Sequence, residues 1–378
     1  MEQQIKRKFL LILHKSHYPL TQRSDELLYF LSKDRTFDSR TLRITYDYIG
    51  LETSYIPTLP GCIKGIRAIV STLVSVFKLW PKKTAVDICW AGDVLPAFIG
   101  TILKRLGFCK KLVYDDEDYC PILYSGLTSV LIGIFERIII TNADLIISVS
   151  EELAKIRKSQ KAKCVEVIPH GVDYELFKKS YEIRLRRIYY TNFRPKVMVY
   201  AGNYSDVLKE DLLLQALAKL SLKGTDFRFV LVGSGNRAIL DKFLGEARRM
   251  GVDSKVAYIG PVPRTVLPLV YAEADIGLCK LTPTYLKVGT TKKLLEYMAS
   301  GLPVIVSRMG PAARLVEEAH AGFVTTPVAE NLSEAFLSAL NLTKHEYLEM
   351  SGNAVAFAKN YDWKLLWQRY RELIQTYV

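Results

Sequence analysis

Along nearly the whole chain of 378 residues, short apolar runs alternate with longer stretches in which apolar residues recur at helical spacing. Phe9–Leu13, Ala85–Trp90, Lys111–Tyr114, Leu145–Val149 and Cys164–Ile168 are runs of this kind. They are mostly continuous rather than alternating, as expected of strands covered on both faces in a parallel sheet. A second series follows: Lys196–Tyr200, Phe227–Val232, Val256–Ile259, Ile276–Cys279 and Pro303–Ser307. Between the series the chain is charged, rich in tyrosine and without a clear apolar period. The pattern predicts two α/β domains of similar size, residues 1–172 and 195–361, joined by a linker over 173–194. In the last stretch, 362–378, Trp363, Leu366, Trp367, Tyr370 and Leu373 fall on one face of a helix.

The length accommodates two full cores, and a hydrophobic fraction of 49% is ordinary for a globular enzyme and too high for disorder. Six scattered cysteines contain no C-x-x-C pair, so neither a zinc site nor a disulfide framework is indicated, and a reducing cytosol is expected. The net charge of +13 is spread over both halves, with no basic tail and no recognisable nucleic-acid module. That excludes nucleic acid as the expected partner and leaves an anionic membrane surface or a diphosphate substrate. Ile5–Leu13 is basic then apolar, but too short for a signal peptide and better read as a first strand. Leu127–Ile140 is interrupted by Glu136 and Arg137 and falls short of a span of about 20 residues. Gly65–Trp80 has an apolar helical face flanked by Arg67, Lys78, Lys82 and Lys83. Such a helix either packs on a sheet or lies in a membrane interface.

The segment Gly289–Ser307 concentrates the chemistry. Thr290 or Thr291 is placed to cap a short helix, Gly301 suits a left-handed turn at its end, and Pro303 prevents continuation. The helix start offers backbone N–H groups beside Lys292 and Lys293, an arrangement suited to an anion. Glu296, three residues after Lys293, shares its helix face. A cation for a phosphate and a carboxylate for a sugar hydroxyl, one turn apart, suit a nucleotide-sugar. A solvated Lys/Glu pair would have the same spacing.

This segment strongly resembles the signature S-P-x-K-x-x-E-Y-M-A-x-G-x-P-V-I of the family-4 retaining glycosyltransferases of GT-B fold (glycosyl transferases group 1). The resemblance implies two Rossmann-like domains facing a cleft, with the final helix crossing back onto the first domain. It places Glu296 on the donor ribose and Lys293 on the diphosphate. Many members carry a second acid eight residues earlier, where this chain has Val288.

Other segments extend the resemblance. Val167–Phe177 is similar to the hinge I-P-N-G-V-D-x-x-x-F, with His170 for Asn and a structural role expected for it. Val199–Leu214 is similar to G-R-x-x-x-x-K-G-x-x-x-L-L. Gly202 there allows close approach to a phosphate and Lys209 matches the diphosphate lysine, while Asn203 replaces Arg and Glu210 the second Gly. Tyr258–Arg264 matches the part that frames the nucleotide base, which brings Val262 and Arg264 into the donor site. Val230–Ala238 contains G-x-G-x-x-A, which alone also fits a dinucleotide fingerprint with Asp253 as the ribose acid. In the first half, Leu112–Pro121 gathers four carboxylates in what reads as a loop, either solvated or cation-binding. It resembles v-y-D-x-H-D-l-x-P with Glu117 at the His position, and makes Glu117 the catalytic candidate. The loop after the first strand lacks the family's glycine pair, and Arg23 is the cation there that would reach the cleft.

The resemblance thus implies a metal-independent, cofactor-free, retaining hexosyltransferase. It would move a sugar from an NDP-sugar to a glycan or lipid-linked acceptor, in the cytoplasm or peripherally on the inner face of the membrane. A GT-B sugar-nucleotide epimerase and a degenerate donor-binding subunit would share the donor site.

Overall fold

The structure, a computed structural model, describes residues 8–15, 23–34, 37–44, 86–123, 126–208, 211–279, 281 and 291–377. The amphipathic stretch 65–80 lies outside the described residues. The chain divides into two compact units, Met1–Pro169 with Leu366–Val378, and His170–Leu365.

The first unit is built on six strands, β1 (Lys8–Lys15), β2 (Phe37–Ile44), β3 (Val86–Gly92), β4 (Cys109–Asp116), β5 (Leu145–Ser148) and β6 (Val165–Val167). They lie in the order β2-β1-β3-β4-β5-β6, and every pairing is parallel. The second unit repeats the plan with β7 (Val197–Ala201), β8 (Arg228–Val232), β9 (Val256–Gly260), β10 (Ile276–Cys279), β11 (Val304–Ser307) and β12 (Gly322–Thr325). Their order is β12-β11-β10-β7-β8-β9, again parallel throughout. Two strands had no counterpart in the apolar pattern. β2 (Phe-Asp-Ser-Arg-Thr-Leu-Arg-Ile) and β12 (Gly-Phe-Val-Thr) are edge strands, paired on one side only, and edge positions tolerate polar residues.

The expected linker is instead a helix, Tyr174–Tyr190, capped by Asp173, whose carboxylate accepts from the Leu176 amide at 3.1 Å. Its buried face carries Phe177, Ser180, Arg184 and Ile188. Two of these four are polar, which breaks the apolar period although the spacing is helical. Arg184 is fully buried, and its guanidinium donates to the carbonyl of Ala274 at 2.9 Å and to those of Tyr271 and Ser300. Burial pulls its pKa below the ordinary value, and bonds to three helix-end carbonyls offset the cost of holding a charge there.

The chain passes between the units twice, and within the second unit these segments lie side by side. The Val172 amide donates to the Tyr361 carbonyl at 2.9 Å and the Trp363 amide to the Val172 carbonyl at 3.1 Å. From Leu366 the final helix, Trp363–Tyr377, belongs to the first unit. Trp367 stacks on Phe30 with centroids 6.0 Å apart, and Tyr370 lies 5.3 Å from Trp90.

The acid-rich segment after β4 is not a solvated loop at its start. Asp115 and Asp116 end the strand, fully buried, and each faces an arginine. Arg157 makes a two-point bond to Asp116, 2.8 Å at each oxygen, and reaches both oxygens of Glu136 at 3.0 and 2.9 Å. Burial raises the Glu136 pKa above its ordinary value, against the opposing pull of Arg157. Glu136, which interrupted the apolar run 127–140, thus faces inward from the helix Gly126–Asn142. Among the described residues no helix is long and apolar enough to cross a membrane. Arg157→Met would leave two carboxylates buried without their countercharge. The expected loss is about 3–5 kcal/mol from the first unit, read as a fall in its urea midpoint.

Candidate functional site

In the second sheet β7 pairs with β8 on one side and β10 on the other. The crossovers from these strands run in opposite senses, so the carboxyl ends of β7 and β10 form a topological switch point. In open α/β sheets that is where ligands bind. The residues arriving there are Ala201 and Gly202 from β7, Cys279 from β10, and the helix Lys292–Ala299.

The loop after β7 packs directly on the loop after β8. Gly202 donates to the Val232 carbonyl at 2.9 Å and Tyr204 to that of Ser234 at 3.1 Å. A Cβ on Gly233, which has φ +122°, would fall within the radius of the Gly202 carbonyl. Gly233 is therefore required by contact between two backbones, and Gly235 by the side chains of Tyr204 and Ser205. Asp253, the alternative ribose acid, sits in an exposed 3-10 turn, Asp253–Lys255. Gly202 itself has φ +137°, and a Cβ there would lie 2.7 Å from the Lys293 ammonium.

Thr291 occupies the cap position of the helix Lys292–Ala299, but its hydroxyl caps no amide; it lies 3.4 Å from the Cys279 sulfur. Thr290 and Lys209 lie outside the described residues. Lys293, half-buried, donates to the Tyr200 hydroxyl at 2.8 Å and stands 4.0 Å from the centre of that ring. Glu296, one turn on, is buried at 9% exposure, and the Arg264 guanidinium faces it at 3.8 Å. Arg264 also lies over the Phe177 ring at 5.8 Å. Val262 is half-buried against the adjoining core. The structure thus gathers Gly202, Lys293, Glu296 and Arg264 at one end of one sheet. Tyr200 there escaped the sequence reading, because it looked like one more residue of a buried strand; Arg184, which holds the far end of the helix Lys292–Ala299 through the Ser300 carbonyl, lay within the supposed linker.

Glu117 belongs to the first unit, half-buried, one residue past the end of β4. Its charge acts on Arg23 and Tyr370. Arg23 is not the exposed cation expected of it. Fully buried, it pairs with Asp115 at 3.0 Å and donates to the carbonyls of Ile168 and Pro169 at 2.7 and 3.0 Å. Burial opposes its charge, and Asp115, with Tyr370 and Glu117, more than restores it. His170, the first residue of the second unit, is buried. Among the described residues no group of three or more His, Cys, Asp or Glu is arranged to hold a metal ion.

The fold and site together define a two-unit parallel α/β protein whose second unit brings a glycine loop, a lysine and a carboxylate to its switch point. Residues 195–342 match the family model of glycosyl transferases group 1. That match lies within the second unit, and the fold of the chain is GT-B. It is similar to Alr3699/HepE of Anabaena, solved in complex with UDP, at 19% identity and a TM-score of 0.72, covering 97% of this chain and 99% of that one. The corresponding values for WaaG, a glycosyltransferase of lipopolysaccharide biosynthesis, are 18%, 0.71, 97% and 100%. Among curated proteins it is 25% identical over 241 residues to the D-inositol 3-phosphate glycosyltransferase of Corynebacterium glutamicum, 61% of this chain and 56% of that protein. It is 24% identical over 245 residues to the GPI3 subunit of a yeast (Saccharomyces cerevisiae) phosphatidylinositol N-acetylglucosaminyltransferase, 64% of this chain and 52% of that protein. The chain thus spans about half the length of the curated relatives it matches.

Gly233→Ala tests the contact between the two loops. It would force both a strained φ and a backbone clash, so a loss of about 3 kcal/mol or more from the second unit is expected in urea unfolding.

Proposed function

We propose that the chain is a retaining, metal-independent glycosyltransferase that moves a hexose from an NDP-sugar to a glycan or lipid-linked acceptor. The observation that carries this reading is the grouping of Lys293, Gly202 and Glu296 at the switch point of the second sheet. Each group has a role there. The Glu296 carboxylate accepts hydrogen bonds from the donor ribose, and Arg264 compensates its charge from 3.8 Å. Val262 and Arg264 flank the base. Gly202 lets the diphosphate approach the backbone, and Lys293, Lys209 and the helix start at 290–292 stabilise the charge that develops as the diphosphate leaves. Protein cations would thus serve in place of a divalent ion. With that charge held on one face, the acceptor hydroxyl attacks from the same side and configuration is retained. Glu117 hydrogen-bonds the donor sugar or orients the acceptor.

The named chemistry of the relatives supports the donor class. Alr3699/HepE was also solved in complex with UDP-glucose. The curated relatives act, by name, on inositol phosphate or phosphatidylinositol, phosphorylated polyols that suit a protein of net charge +13. Work on a lipid-linked acceptor at the cytoplasmic face of a membrane is consistent with that charge.

Titration of UDP, GDP and ADP and their sugars, without metal, tests the reading. One nucleotide is expected to bind, with affinity falling about thirtyfold or more in Glu296→Ala. Sugar transfer should continue in excess EDTA, and loss of turnover on chelation would refute metal independence. Failure of the wild type to bind any nucleotide would overturn the donor site itself.

A further inference from the structure

The anion site has a brace in this chain that its expected binding residues do not include. Tyr200, near the end of β7, is 3% exposed. Its hydroxyl uses both of its hydrogen-bonding capacities across two elements. It donates to the Asn203 carbonyl at 3.0 Å and accepts from the Lys293 ammonium at 2.8 Å. The first bond fixes the glycine loop that opens the site. The second fixes the lysine from the helix Lys292–Ala299, with the ammonium directly over Gly202. The ring contributes as well, since its face lies 4.0 Å from the same ammonium.

We infer that Tyr200 is a positioning residue for the diphosphate, holding the Lys293 ammonium over the Gly202 backbone through a hydroxyl shared with the Asn203 carbonyl. The inference rests on the donor-site reading for its ligand but not for its geometry. A lysine side chain is long and rotatable, and without a fixed partner it loses rotamer freedom only when an anion arrives. Tyr200 removes part of that loss in advance. Its hydroxyl is neutral and accepts from Lys293 without cancelling the charge, whereas a carboxylate at the same place would neutralise the site. An ammonium has three donors, so the bond to Tyr200 does not by itself exhaust them.

Tyr200→Phe is the test because it keeps the ring, the buried volume and the cation–π contact and removes only the hydroxyl. The binding arm uses whichever of UDP, GDP or ADP binds the wild type, against the matching nucleoside without phosphates. The diphosphate should bind about tenfold more weakly to the variant, with nucleoside affinity unchanged. In a Lys293→Met background the same change should have no further effect on the diphosphate. Equal loss for nucleotide and nucleoside, or an undiminished effect without Lys293, would reduce Tyr200 to a packing residue and overturn the inference. A second arm needs no ligand: the rate at which Lys293 is acetylated by limiting acetic anhydride, followed by mass spectrometry, should rise several-fold in Tyr200→Phe. If the wild type binds no nucleotide, the functional reading fails and this arm alone decides. Unchanged labelling would then overturn the brace.

Discussion

The second unit depends on the placement of β7 between β8 and β10. The first strand of the unit in sequence becomes a central strand in space, and the chain leaves its two neighbourhoods in opposite senses. No crossover then covers the carboxyl ends of β7 and β10, and the ends of the loops and the start of the helix Lys292–Ala299 meet there. Two close approaches make that meeting compact. Gly233 admits the Gly202 carbonyl, and Gly202 admits the Lys293 ammonium. The glycines thus decide how near a charged side chain can come to the loop after β7.

Buried guanidinium groups hold the scaffold in both units. Arg23 joins Asp115 at the end of β4 to the carbonyls after β6, and Arg157 joins Asp116 to Glu136 of the helix beside it. In the second unit Arg184 ties the carbonyl ends of two helices, one of which bears Lys293 and Glu296. Arginine suits this work because its planar fork satisfies several acceptors in fixed directions and stays charged when buried. Part of the basic character of the chain is therefore internal and structural.

Where the chain departs from the glycosyltransferase pattern it resembles, the structure gives the residues concerned other work. Asn203 stands where an arginine is usual, and its carbonyl receives the Tyr200 hydroxyl while its side chain accepts from the Ser205 amide at 3.1 Å. The position supplies loop geometry instead of charge. Arg264, from the loop after β9, brings a guanidinium to the Glu296 carboxylate. Thr291 keeps the cap position without bonding the helix amides, so its hydroxyl does not compete for them.

Ten of the strands were legible in the sequence, the central ones because a strand covered on both faces is apolar along its length, and the edge strands β6 and β9 because they happen to keep short apolar runs. β2 and β12 were not, since an edge strand is held by one neighbour and its composition is free. The helix Tyr174–Tyr190 was hidden for a related reason. Its buried face carries Ser180 and Arg184, whose partners are carbonyls more than eighty residues away for the arginine, and no local window contains them. The same holds for Asp115, Asp116 and Arg23, which read as solvated or site charges until their partners were seen. At the candidate site, local spacing put Lys293 and Glu296 on one helix face and Gly202 in a strand-end loop, and the resemblance to the glycosyltransferase signature singled them out. Sequence alone determined the two-sheet plan and the glycine loop and helix start that meet at the switch point, both consequences of short-range periodicity and turn chemistry. Only the tertiary structure decided which charges are internal, which side chain braces Lys293 and what faces Glu296. Those outcomes depend on contacts between elements distant in the chain, and a charge shows its role only when its partner is known.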